Sequence, residues 1–387
     1  MSHPSDHPSL AAPAAEERQY HDRRMTHADF NQAPFTIAWE VTRACAFACK
    51  HCRADAQHSR DPGELTTEES FRLIDRLADF GSPILIFTGG DPMMRRDLFD
   101  LIAYATQKGL RCSLTPTATA LPTVERLRKV KEAGIRRIAL SLDAPTPEVH
   151  DGFRQVDGSW ERTMRILHDA HSIGLSVQVN TTVTTFNLDL LPDMVPFIEQ
   201  VGAVQWSVFF LVPTGRAQAR WLISPQEHER IFHWLYELSK SAPFDIKATA
   251  APMYRRVAIE RKKQEQQDNQ AITFQGAGFQ YADGLNRPTK GVNDGNGFLF
   301  ISHLGEIMPS GFLPISAGNV RHADVVQVYR QAPLFQDLRN YEKLKGKCRI
   351  CEYREVCGGQ RGRAYGLTGD YMESDPSCVY IPAGISN

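Results

Sequence analysis

No stretch of this chain stays apolar long enough to cross a bilayer, which takes about 18 residues; the longest candidates, such as residues 207–213, are strand-sized. The first thirty residues mix His, Asp, Pro, Ala and Arg without an apolar segment, so the pattern of a secretory signal is missing. Neither charge is in surplus: 44 Lys and Arg stand against 45 Asp and Glu, a net of −1. That balance argues against a general nucleic-acid or anionic-membrane binder, which needs a basic excess. Wholesale disorder is excluded too, since 42% of the 387 residues are hydrophobic and 23% charged, ordinary globular values. The length favours two domains over one, and the whole reads as a cytoplasmic protein. Cysteine is scarce as well, eight in all, yet seven of the eight fall into two groups.

Cys45, Cys49 and Cys52 are spaced C-x3-C-x2-C, and Cys348, Cys351, Cys357 and Cys378 are spaced C-x2-C-x5-C-x20-C; Cys112 stands apart as a small buried hydrophobe. In a reducing compartment clustered thiols read as metal ligands, not disulfides. The second group supplies four thiolates, enough to close a tetrahedral zinc site or to ligate an iron–sulfur cluster. The first supplies three and leaves one position open, as a reactive site requires. The alternative is that His51 completes a Cys3His zinc site, and spacing alone leaves both open.

Along the chain, strand and helix signals alternate. Residues 1–34, rich in Pro, Ala and charge, read as a mobile arm. Strands are expected over residues 36–42, 83–88, 111–115, 135–142, 175–183 and 204–211. Helices are expected from Thr66 or Thr67, around residues 98–105, over 124–133, 159–173 and 190–201 (broken near Pro196), and over 225–241. Six βα units imply a parallel sheet with right-handed crossovers, an α/β partial barrel or open curved sheet. In such folds chemistry sits at the C-terminal ends of strands. Each unusual sequence follows a strand: the Cys loop, Gly89-Gly90-Asp91-Pro92, Thr115-Pro116-Thr117, Ser141-Leu142-Asp143, Asn180-Thr181-Thr182 and Val212-Pro213-Thr214-Gly215-Arg216. Beyond Phe244 the pattern breaks into a charged helix face over 255–270, a loop over 275–297 and a hairpin over 297–307. The four-Cys tail then reads as a small loop-rich domain held by its metal. The expected division is 1–34, 35–241, 242–297 and 298–387.

C-x3-C-x2-C directly after a first strand, followed by Gly-Gly-acid-Pro after the second, resembles the radical S-adenosylmethionine (SAM) superfamily, and the tail resembles its SPASM/twitch extension. The resemblance covers about residues 35–240 and 298–380. It implies a TIM-like partial (β/α)6 barrel with a C-terminal iron–sulfur domain. Cys45, Cys49 and Cys52 then hold a [4Fe–4S] cluster whose fourth iron binds SAM, and the protein orients the cofactor that carries the chemistry. Gly89 and Gly90, lacking side chains, let the backbone approach the methionyl amine, with Pro92 stiffening the loop; on its own the motif is a turn. Asp91 stands where the family commonly has Glu. Ser141 and Asp143 match a position that contacts SAM, with ribose hydroxyls as partners, or else form a strand-end turn. Arg154 resembles the Arg that pairs with the SAM carboxylate, and Val212 and Pro213 the wall against adenine.

Cys348, Cys351, Cys357 and Cys378 match one complete auxiliary [4Fe–4S] ligand set. A second auxiliary cluster would need Cys at Ser310 and Arg361. The stretch IAWEVTRACAFACKHCRAD, with Arg53 after the last Cys, and FFLVPTGRA look most like the haem-biosynthesis branch, siroheme-route haem synthases and their haem d1 relatives. That implies a tetrapyrrole propionate as substrate and an electron donor such as flavodoxin or ferredoxin. The runner-up is a peptide maturase, disfavoured because only 35 residues precede the first strand, too few for a leader-peptide domain. A third reading is a non-enzymatic zinc protein. Arg216, Arg361 and Arg363 are candidates to meet substrate carboxylates.

Overall fold

The computed structural model of the chain describes residues 29–268 and 291–385. Seven strands run parallel in chain order: β1 (Thr36–Glu40), β2 (Ile84–Thr88), β3 (Arg111–Leu114), β4 (Arg137–Ser141), β5 (Ser176–Val183), β6 (Gln205–Phe210) and β7 (Asp245–Thr249). The intervening helices are α1 (Thr67–Ala78), α2 (Leu98–Gln107), α3 (Val124–Glu132), α4 (Pro147–Arg154), α5 (Ser159–Ser172), α6 (Leu191–Gln200) and α7 (Pro225–Ser241). After α8 (Met253–Gln267), β8 (Phe298–Ile301) lies parallel against β1, and β9 (Ile307–Met308) pairs with it antiparallel. The order β7-β6-β5-β4-β3-β2-β1-β8-β9 leaves the sheet open, a partial barrel. Four short helices complete the tail: α9 (Val325–Gln331), α10 (Pro333–Arg339), α11 (Gly346–Ile350) and α12 (Arg361–Thr368).

Alternation along each strand divides its residues between two surfaces. Ile37 and Trp39, Leu85 and Phe87, Val177 and Val179, Trp206 and Val208 join Leu73, Leu101, Leu127 and Ile166 of the helices in one outer core, and Cys112 is buried there as expected. Glu40, Thr88, Ser141, Asn180, Ser207 and Lys247 lie on the opposite face, toward the lumen. Local signals fix the helix starts: α1 opens on a capping box, Thr66 accepting from the Glu69 amide while the Glu69 carboxylate accepts from the Thr66 amide.

The structure differs from expectation in four places. A seventh parallel strand, β7, extends the six units; charged residues at 245 and 247 hide it from an apolar pattern. Helix α6 runs unbroken through Pro196, since only the ladder bond to Pro192 is forfeited there. The 297–307 hairpin exists as β8 and β9 but joins the barrel sheet, so the expected boundary at 298 falls on a shared strand. Helix α8 is not simply solvated, for Arg256, Lys262 and Glu265 are buried. Of the expected arm, residues 1–28 lie outside the described residues, as does most of the 275–297 loop. Phe30 is buried, and its carbonyl accepts from the Tyr329 hydroxyl at 2.8 Å. Among the described residues no helix is long and apolar enough to cross a membrane.

Candidate active site at the C-terminal rim

The loop between β1 and α1 carries Cys45, Cys49 and Cys52, and its neighbours hold it at both ends and in the middle. Buried Arg95 donates to the Val41 and Leu65 carbonyls at 2.9 and 3.0 Å, clipping the loop's start to its finish. The Gly90 and Asp91 amides donate to the Thr42 and Ala44 carbonyls at 2.8 and 2.7 Å. Arg216 reaches the Cys49 and Ala56 carbonyls, both at 3.0 Å, and its own amide donates to the Cys52 carbonyl. The Lys50 amide donates to the Phe153 carbonyl at 3.2 Å. The loops after β2, β4 and β6 thus enclose the Cys loop. From the β3 loop, Thr117 sets its hydroxyl 3.7 Å from the Cys45 sulfur.

Gly89 and Gly90 are required by this packing. A Cβ at 89 would lie 2.4 Å from the Thr42 carbonyl oxygen, and one at 90 would lie 2.4 and 2.6 Å from those of Ala44 and Arg43. Gly90→Ala is therefore expected to cost about 1–3 kcal/mol, as overpacking does, read as a lower Tm together with poorer iron uptake at the three-Cys site. Asp91 is buried, and both oxygens are engaged: by the Met93 and Thr117 amides at 3.1 and 3.3 Å and by the Thr119 hydroxyl at 2.9 Å. It caps the turn begun by Pro92 and ties the β2 loop to the β3 loop. Burial pushes its carboxyl up despite these bonds.

Asp143 is also turned inward, 1% exposed. One oxygen accepts from the Thr182 amide at 2.8 Å and the other from Arg154 Nε at 2.7 Å. Burial raises its carboxyl, but the adjacent Arg154 and further contacts outweigh that and hold it below the usual carboxylate range. Arg154, at the end of α4, in turn places Nη1 3.7 Å from the Cys49 sulfur. Both Asp143 oxygens are thus engaged within the protein, one of them by Arg154. Ser141 stays half-buried on the lumen face. Val212 is buried, and the Pro213 carbonyl lies close against Gly366 of the tail.

The donor sets fit iron–sulfur clusters. All eight cysteines are free of disulfides. Cys45 and Cys49 pack with Phe47 and Ala56, with Cys52 at the edge. Burial pushes the Cys45 thiol up to about 11. His51 is stacked flat on Phe153 at 4.1 Å, so its ring is engaged with the α4 segment. Cys348, Cys351, Cys357 and Cys378 line one small cavity. Burial pushes Cys357 up to about 12 and Cys378 to about 11, so protons must leave when a metal centre binds. Gly358 and Gly359, both at φ 66°, turn the chain sharply beside Cys357.

Three arginines expected near substrate are committed elsewhere: Arg216 to the Cys loop, Arg361 to the Tyr371 and Glu373 carbonyls, and Arg363 to an internal ion pair with Asp375 at 3.0 Å. Two features escaped the sequence reading, the Arg95 clip and a trio at the β1 and β8 ends in which Glu40 and His303 are buried and Arg53 is half-buried. In the trio Glu40 is 2.8 Å from His303 Nδ1 and 3.0 Å from Arg53.

The Radical SAM superfamily model matches residues 39–195. The chain is 44% identical over 348 residues to the AdoMet-dependent heme synthase of Nitratidesulfovibrio vulgaris, covering 89% of this chain and 92% of that protein. It is 28% identical to the Fe-coproporphyrin III synthase of Methanosarcina barkeri, over 88% of this chain and 87% of the other. Among solved structures, Streptococcus suis SuiB bound to S-adenosylmethionine superposes with a TM-score of 0.69 at 14% identity, across 95% of this chain and 81% of that one.

Proposed function

The chain belongs to the radical SAM superfamily, in its haem-biosynthesis branch, and from that premise we propose that it cleaves SAM reductively and removes hydrogen from a propionate side chain of an iron porphyrin. The observation that carries this reading is the set of three unbridged thiols, two buried and one half-buried, enclosed by the rim loops, in a chain so similar to a heme synthase. When bound, the first cluster and SAM would supply the carbon radical that takes one hydrogen from the propionate chain; the chain would then lose its carboxylate as carbon dioxide and one electron, leaving a vinyl group, and an auxiliary cluster would supply an acceptor for that electron. The protein's own work is positional. Cys45, Cys49 and Cys52 would hold the first cluster. Arg154, steered by Asp143, is the candidate partner for the SAM carboxylate, and Ser141 the candidate for a hydroxyl. Gly89 and Gly90 bring the β2 loop against the Cys loop, while Asp91 and Pro92 stiffen it from behind.

Cys348, Cys351, Cys357 and Cys378 would hold the auxiliary cluster, closed by four thiolates and so unable to ligate substrate. A second auxiliary centre finds no support. Ser310 is buried and accepts from the Phe312 and Leu313 amides, and the Arg361 guanidinium fills its own site.

The test is anaerobic incubation of the reconstituted chain with SAM, a low-potential reductant and iron coproporphyrin III, followed by mass spectrometry. Successive losses of carbon dioxide and two hydrogens support the reading. No mass change, alongside modification of a peptide, would move the chain to the maturases. In the same assay Cys351→Ala is expected to lose about four irons and product formation while still releasing some 5′-deoxyadenosine. Loss of SAM binding in a folded Cys351→Ala chain would reverse the roles assigned to the two Cys groups.

A further inference from the structure

The lumen contains one group that neither the Cys loop nor the SAM-facing residues use. Lys247 sits in the middle of β7, paired in register with Ser207 of β6, which is paired with Asn180 of β5, itself paired with Ser141 of β4. Those four residues form one row across the lumen face. The alternate residues of β7, Ile246 and Ala248, pack on the outer core, which leaves Lys247 pointing inward. It keeps solvent-accessible surface on the lumen face, with the strands of its row beside it. Among the described residues nothing takes a hydrogen bond or an ion pair from its amine.

The groups around it are already committed. Asp245, one row deeper on the same face, acts on Arg137, which also donates to Gln205 at 2.8 Å. Ser207 and Thr249 share a hydrogen bond at 2.8 Å. The surrounding protein, and after it the cations Arg255 and Arg137, lower the Lys247 amine to about 8. A cation kept unpaired beside other cations is an unfavourable arrangement that an incoming anion relieves. One row nearer the rim, Phe209 on the same face meets Phe312 of the tail, ring centroids 6.4 Å apart. An aromatic pair above and a cation below suit a flat apolar body with a carboxylate arm directed downward.

We infer that Lys247 receives one carboxylate of a flat, multiply carboxylated substrate in the barrel lumen, a positioning role that rests on the tetrapyrrole reading above. By fixing a carboxylate that does not react, Lys247 sets which propionate faces the SAM end of its row, at Ser141.

The experiment titrates iron coproporphyrin III and its tetramethyl ester into the cluster-loaded protein, following the porphyrin absorbance, for wild type, Lys247→Gln and Lys247→Arg. The expected result is binding of the free acid weakened about 10- to 100-fold in Lys247→Gln, the range of a charge-assisted hydrogen bond. Lys247→Arg should retain most of the affinity, and wild type and Lys247→Gln should bind the ester alike. Equal binding of the free acid by wild type and Lys247→Gln overturns the inference alone. An equal loss for acid and ester also overturns it, since the lysine would then only shape the lumen. A wild-type chain that neither binds nor converts the porphyrin overturns the parent reading and this inference with it.

Discussion

Replacing Cys45, Cys49 and Cys52 together with alanine is expected to halve the iron of the reconstituted chain, from about eight atoms to about four, and to abolish SAM cleavage. The loop should survive the change, because its shape does not depend on the thiols. Arg95 holds its two ends, Arg216 holds Cys49 and Ala56 by their carbonyls, and the β2 loop bonds to Thr42 and Ala44 through amides. The four-Cys cavity is lined by a different part of the chain, so its iron should be untouched. An unchanged Tm alongside the halved iron would separate loss of the cluster from loss of the fold. Undiminished iron, or stoichiometric zinc in its place, would refute the assignment of the first site.

The second large effect is expected at Arg363. Its side chain is completely buried and donates to the Leu211, Phe210 and Ala250 carbonyls at 3.2, 3.3 and 2.7 Å and to Asp375 at 3.0 Å. Those partners are the end of β6, the residue just past β7 and the tail, so one guanidinium fastens the two strand ends to the four-Cys segment. Arg363→Met removes the cation and strands Asp375, which burial already pushes upward and Arg363 draws back down. Breaking a buried pair from one side costs about 3–5 kcal/mol, and Tm should fall by several degrees. Arg363→Lys should recover little, because a point charge cannot reach four acceptors in a fork. Iron at the tail should drop before iron at the rim does, since Gln360, whose amide donates to Asp375 at 2.9 Å, follows directly on Gly358-Gly359 beside Cys357. A variant as stable as wild type would mean that desolvation of the pair cancels its attraction.

The barrel was legible because its information is local. Six apolar strands, each followed by a periodic helix, and a loop motif after every strand needed no knowledge of distant contacts. Strand β7 was missed for a physical reason: its inward positions hold Asp245 and Lys247, charges that a packed strand avoids but a lumen-facing strand keeps. The arginines show the opposite limit. Arg363 and Arg361 read as available cations in the sequence, and only their partners, carbonyls more than 100 residues away together with Asp375 for Arg363 and carbonyls 10–12 residues away for Arg361, reveal them as fasteners. Asp143 and Arg154 were both singled out, but separately. Their 2.7 Å contact across α4 joins them into one ion-paired unit, which separate reading of the two residues did not reveal.

The pairing of β8 with β1 also orders events during synthesis. β1 is buried along its whole length, and the strand that covers its outer edge is encoded about 260 residues later. At about 5–20 residues per second, that edge stays uncovered for on the order of 10–50 s while the ribosome completes the intervening chain. An uncovered, apolar strand edge is a template for pairing with another nascent chain. A fragment ending before residue 298 would carry this exposure permanently, so expressing the barrel segment alone should yield aggregate. Chaperone dependence of the nascent full-length chain should end once β8 emerges.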